Sequence, residues 1–160
     1  MNKLNSTYLA ILFVSGGILS GIASLALSAL LPQSFIESKT VSAFFILVLV
    51  EEAAKFLAIW LILKSYSLFE IFTLRHFATC SLATGFGFGL FELFLILLSS
   101  TSLSLEMVRP LLVHLATALL YGFGFYLFLK TRTFFVAIIA LILSIALHLW
   151  YNAVVIARLF

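Results

Sequence analysis

Five apolar runs, each about 20 residues or longer, occupy positions 7–31, 41–63, 76–98, 110–129 and 133–157. No connection between them exceeds about a dozen residues, which leaves no room for a soluble catalytic or nucleotide-binding module. In hydrocarbon every backbone N–H and C=O must be satisfied within the chain, so runs of this length fold as helices. The expectation is an all-α membrane protein in which residues 1–160 form one domain, a single bundle of about five transmembrane helices. The composition agrees: 64% of residues are hydrophobic and 9% charged, against roughly a quarter charged in an ordinary soluble domain.

The first run follows Lys3 and ends in small residues, as a secretory signal does. It is far longer than the roughly 7 to 15 residues of a signal core, so it reads as a retained helix. Cys80 is the sole cysteine, which excludes an internal disulfide and a cysteine-rich metal knuckle and leaves a packing role. Five crossings place Lys3, Lys64, Arg75, Lys130 and Arg132 on one side and Lys39, Arg109 and Arg158 on the other. The positive-inside rule then puts the N-terminus in the cytoplasm and the C-terminus outside. Loop cations facing the headgroups of the lipid bilayer account for the net charge of +3, so no nucleic-acid partner is called for.

Against this background Glu51 and Glu52 stand out, midway along the second run with Lys55 one turn on. An ionisable side chain at the bilayer centre costs about 2.5 to 3.5 kcal/mol on insertion-derived scales, so such residues point to function. On a helix Glu51 shares a face with Ala54, Lys55 and Ala58, and Glu52 lines up with Val48, Phe56 and Ile59. The smaller companions favour Glu51 as the residue facing the bundle centre.

Small residues mark the faces that meet. Gly17, Ser20, Gly21, Ser24 and Ser28 do so on the first helix, and Ser81, Gly85 and Gly89 on the third. His114, Ala118 and Gly122 lie four apart on the fourth, and Ala140, Ser144, His148 and Asn152 on the fifth. Glu92 follows Gly89 by three and Gly85 by seven, which turns it inward too. At 1.5 Å per residue, most of these polar groups fall in the outer half of the membrane within roughly 10 Å of one level. Taken singly, each has a structural reading: Glu51 and Lys55 as a neutralised i,i+4 pair, His148 and Asn152 as interhelical polar glue. Their coincidence on four helices argues for one polar cluster. His76, beside Arg75 at a span boundary, reads as interfacial. The glycines from Gly85 to Gly89 follow no strand and read as a packing seam, not a nucleotide loop.

The ordered motifs resemble a known family. Glu51 to Lys55 (EEAAK) fits EExxK, and Gly85 to Glu92 (GFGFGLFE) fits a Gly/Phe-rich helix ending in Glu. His114 to Ala118 with Gly122 fits HxxTAxxxG, and His148 to Asn152 (HLWYN) fits HxxxN. The set resembles the PrsW family of intramembrane proteases, within the wider superfamily of CAAX-processing and Abi-type (CPBP) proteins. The third-helix Glu of such sequences is often followed by Asn, where this chain has Leu93. The resemblance implies an intramembrane endopeptidase of a prokaryotic cytoplasmic membrane. Its implied substrate is a single-pass membrane protein, anti-sigma-factor-like, cut on the extracytoplasmic side.

Peptide hydrolysis needs an activated water, stabilisation of the developing oxyanion and a proton for the leaving amine. No covalent nucleophile is evident, so the candidate catalytic residues are Glu51, Glu52, Glu92, His114, His148 and Asn152, with Lys55 keeping the local charge near neutral. In one version zinc is held by His114, His148 and a carboxylate of Glu92 or Glu51, lowering the pKa of a water to about 7 while the remaining Glu is the base. In the other there is no metal: a Glu is the base, and His148 and Asn152 donate to the oxyanion. Two rivals come from other classes. One is a noncatalytic membrane scaffold or partner of the same fold; the other is a small proton or ion transporter with an acid and His relay, against which stands the lack of an obvious inverted repeat.

Overall fold

A computed structural model describes residues 6–34, 40–65, 73–99 and 108–157. Among them the chain is helical, without strands: α1 (Ser6–Ser28), α2 (Val41–Ser65), α3 (Leu74–Ser99), α4 (Arg109–Thr131) and α5 (Phe135–Ala157). The helix ends follow local chemistry. Helix α1 stops short of the expected Leu31 because Pro32 cannot extend it, and the Leu30 and Leu31 amides turn back onto the carbonyls of Leu27 and Ser28, each at 3.1 Å. Pro110 suits the first turn of α4. At its other end Arg132 takes a left-handed φ of 57°, and its amide donates to the Phe128 carbonyl at 2.8 Å. That cap reverses the chain within a few residues and sets α5 antiparallel to α4.

Four helices, α1, α3, α4 and α5, are long and apolar enough to cross a membrane. This is an integral membrane protein. Helix α2 has the length, 25 residues, but Glu51, Glu52 and Lys55 occupy its middle and take it out of that set. The structure therefore shows four evident spans where the sequence predicts five. Outward-facing Leu19, Leu61, Leu98, Leu112 and Trp150 are more than half or about half exposed, as lipid-facing residues are.

Helix α3 packs on α1 on one side and α4 on the other, α4 packs on α5, and α2 lies mainly against α1 and α5. Glycine sets the α1–α3 spacing. A Cβ on Gly87 would lie 2.1 Å from the Val14 carbonyl oxygen, and one on Gly17 would lie 2.1 Å from the Thr84 carbonyl oxygen. Neither obstacle is a side chain that could swing away, so even Gly87→Ala must push the two helices apart. We expect it to cost about 1–3 kcal/mol, seen as a lower unfolding midpoint in detergent. Gly16→Ala, which meets only the Ile62 side chain, should cost less.

The apolar core gathers towards one end of the helices, around Phe13, Ile59, Leu63, Phe77, Cys80, Tyr121, Phe125 and Ala137. Buried Cys80 has the packing role expected of it. Aromatic rings extend this plug: Trp60 stacks on Phe125 at 5.9 Å between centroids, and Phe56 meets Tyr121 edge-on at 5.7 Å. Tyr121 tops the plug, and its hydroxyl rises into the polar cluster.

Candidate active site

The buried stripe of α2 runs Val48, Glu52, Lys55, Ile59 and Leu63. It places Glu52, not Glu51, at the centre of the bundle, reversing the expectation from side-chain size. Ala54 and Ala58, the small companions of Glu51, instead line a groove against Gly16, Ser20 and Ala23 of α1. They mark a helix–helix margin, and Glu51 stands on its open side with its side chain 27% exposed.

Glu52 and Lys55 are wholly buried. Lys55 Nζ donates to Glu52 Oε1 at 2.5 Å, to His114 Nδ1 at 2.9 Å and to Thr117 Oγ1 at 3.1 Å. An ammonium has three hydrogens, and these bonds use all of them. The ammonium also lies 4.9 Å from the centre of the Phe88 ring, a cation–π contact. Lys55 thus pairs with Glu52 at i,i+3, and not with Glu51 at i,i+4 as the structural reading of those two residues has it. On the remaining side of the carboxylate, His148 Nδ1 donates to Glu52 Oε1 at 2.6 Å, and Tyr121 Oη donates to Glu52 Oε2 at 2.6 Å.

These partners assign the two imidazoles. His114 accepts from Lys55 at Nδ1, so its hydrogen sits on Nε2 and is donated to Glu92 Oε2. His148 donates from Nδ1 and turns Nε2 towards Glu51 Oε2, 3.7 Å away. The rings stand nearly perpendicular, 5.1 Å between centroids. Four helices contribute: Glu51, Glu52 and Lys55 from α2, Glu92 from α3, His114 from α4 and His148 from α5. Asn152 lies one turn beyond His148, half-buried, and makes no hydrogen bond to this group among the described residues. His76 is exposed at the start of α3 and bonds to Thr73, apart from the cluster.

On one side the cluster opens into a cleft of about 200 Å³ between α1, α2 and α3. Glu51 and Glu92 face it, opposite Ser24 and Ser28 and among Phe91 and Leu95. The buried face of the cluster is therefore an ion-pair network and the open face a pair of carboxylates.

The model of the PrsW family of intramembrane metalloproteases matches residues 5–160. The chain belongs to the PrsW family. No curated protein and no solved structure matches it. The PrsW family is one of membrane-embedded hydrolases, and the Glu/His cluster of this member is compatible with that chemistry.

The donor set fits a metal ion of the kind the PrsW family implies. Glu51, His114 and His148 each bring one ligand-type atom to within 4.8 Å of the others. Two imidazoles and one carboxylate match the ligands of many catalytic zinc sites. Glu92, the other carboxylate considered from sequence, meets His114 instead.

Two residues, Tyr121 and Ser144, lie outside the PrsW motif positions, and Thr117 lies within them without a role that the motif assigns. Tyr121 lies seven residues after His114, on the same helix face, and Thr117 lies between them. Ser144, four before His148, donates to the Thr117 carbonyl at 3.1 Å and ties α5 to α4 at this level. Helical periodicity places all three on the seam, but it does not say which hydroxyl finds the carboxylate.

Proposed function

We propose that this PrsW-family chain is an intramembrane endopeptidase that hydrolyses a peptide bond of a membrane-anchored protein with a water activated by its Glu/His cluster. One observation carries the reading: Glu51, His114 and His148 converge from three helices within 4.8 Å, at a cleft that Glu92 also faces. His148 Nε2 and Glu51 would hold the metal, and His114 would join them through Nε2 once that nitrogen gives up the hydrogen it donates to Glu92. When bound there, zinc supplies positive charge that polarises a carbonyl and acidifies water.

The protein groups divide the remaining work. Glu92, 35% exposed at the cleft, takes the proton of the attacking water and returns it to the leaving amine as the C–N bond breaks. Glu52, with its oxygens filled by donors, is a fixed anion rather than a base. Lys55 balances that anion and holds His114. Asn152, one turn from His148, is placed to donate to the oxyanion once a peptide enters.

The same reading takes α2 as the fifth span, its charged residues sheltered by α1, α4 and α5. It puts the N-terminus on the cytoplasmic side of a prokaryotic cytoplasmic membrane, the C-terminus outside, and the cleft in the outer half of the bilayer. The substrate is a single-pass membrane protein of the anti-sigma-factor kind. It must enter extended or locally unwound, because a helix hides its carbonyls in its own hydrogen bonds. The aromatic plug of Phe56, Trp60, Phe125 and Phe128 beneath the cluster favours a one-sided cleft over a relay that crosses the membrane.

The test is cleavage of a reconstituted single-pass reporter. We expect cleavage by the purified protein, loss of it after dialysis against a zinc chelator, and recovery on adding zinc. Cleavage that survives with no metal in the sample would leave the glutamate-base version. No cleavage of any membrane-anchored peptide by folded protein would overturn the proposal.

A further inference from the structure

We propose that Tyr121 is a positioning residue for the hydrolytic centre: its hydroxyl, acting through the Glu52 carboxylate, fixes the His148 ring with Nε2 towards Glu51. The inference rests on the peptidase reading above. It is carried by hydrogen bonds that link α4 to α2 and α2 to α5.

The Tyr121 hydroxyl has one hydrogen to give. Glu52 Oε2 lies 2.6 Å away and the Glu52 backbone oxygen 3.2 Å away, so the carboxylate takes it. Glu52 Oε1 is already engaged by Lys55 and His148. With Tyr121 in place both carboxylate oxygens are held, and the group cannot rotate about its last torsion. Without that hydroxyl Oε2 is empty in a site with no exposure to solvent, and the carboxylate can turn to share its other donors. Lys55 cannot fill the gap, since its three hydrogens already go to Glu52, His114 and Thr117.

The position of Glu52 matters because it is the acceptor that keeps the His148 hydrogen on Nδ1. Nε2 is thereby left with its lone pair facing Glu51. Carboxylates that orient a ligating histidine in this way commonly change metal affinity when altered. Tyr121 is itself firmly held: it is the largest fully buried side chain among the described residues, wedged edge-on against Phe56 and within the core of Phe77 and Phe125. The aromatic plug and the polar cluster are thus one construction, in which the plug's uppermost ring aims the site above it.

The decisive variant is Tyr121→Phe, which removes one oxygen and keeps the packed ring. Three measurements read it: zinc affinity by competition with a chelator, the kcat and KM of reporter cleavage, and the ring-nitrogen spectrum of ¹⁵N-histidine-labelled protein. We expect zinc affinity about 10-fold weaker, kcat lowered with KM little changed, and a His148 signal that no longer reports one tautomer hydrogen-bonded at Nδ1. In a Glu52→Gln background the same change should add nothing, because the path runs through that carboxylate. Zinc affinity, kcat and His148 spectrum all at wild-type values, even with a lower unfolding temperature, would overturn the inference and leave Tyr121 a packing residue. A wild-type protein whose His148 spectrum depends on Tyr121 but which cleaves nothing would support the positioning role and count against the peptidase reading.

Discussion

Replacing Glu92 with glutamine is expected to lower peptide turnover by about 10²- to 10⁴-fold while the purified protein keeps its zinc. The His114 ring stays oriented through Lys55, which donates to its Nδ1, so the ligand group is left in place. What the substitution removes is a group able to take a proton from water at the cleft. Glu51→Gln and His148→Ala are expected to lose zinc and turnover together, because both residues belong to the converging ligand group. Metal analysis beside single-turnover cleavage separates the two classes. Zinc lost from Glu92→Gln and retained in Glu51→Gln would exchange the roles assigned to the two carboxylates. Unchanged turnover in all three variants would remove the site from the reaction.

Lys55→Met should have the largest effect on stability. Lys55 is wholly buried, as is Glu52 beside it, and the substitution leaves that carboxylate with one donor fewer in a medium that cannot solvate it. Removing one partner of a buried ion pair costs about 3–5 kcal/mol. The loss also unties His114 and Thr117, both bonded to the same ammonium. Unfolding in detergent measures it, and the double variant Lys55→Met with Glu52→Gln supplies the control. Taking away both charges should restore part of the loss, since no unpaired anion is then left behind. A single variant as stable as the wild type would mean that Glu52 is satisfied by Tyr121 and His148 alone.

Much of this was legible because a membrane narrows what a sequence can mean. Long apolar runs with short connections permit little besides helices, and ionisable residues within them mark function. The small-residue stripes placed Gly85 on a packing face of the third helix and His114 with Ala118 on one of the fourth; the fold brings those two faces together, where a Cβ on Gly85 would collide with the His114 carbonyl and the Ala118 methyl. The same logic misled at Glu51. Small neighbours show that some helix approaches that face; they do not show which one. Ala54 and Ala58 face α1 at the edge of the bundle, whereas the centre is met by the bulkier Val48, Glu52 and Ile59 stripe.

The amino-acid order by itself determined an all-helical membrane chain, its family, and the short set of acids and imidazoles from which any chemistry must come. Those properties reside in residue type and spacing along one helix, and a single axis is enough to express them. Only the tertiary structure decided that Glu52 is the clamped anion and Glu51 the carboxylate open to the cleft, that Lys55 serves two histidines' surroundings at once, and that Tyr121 closes the network. Adjacent residues on a helix differ by about 100° in direction, so which of two neighbours is buried depends on where the other helices stand.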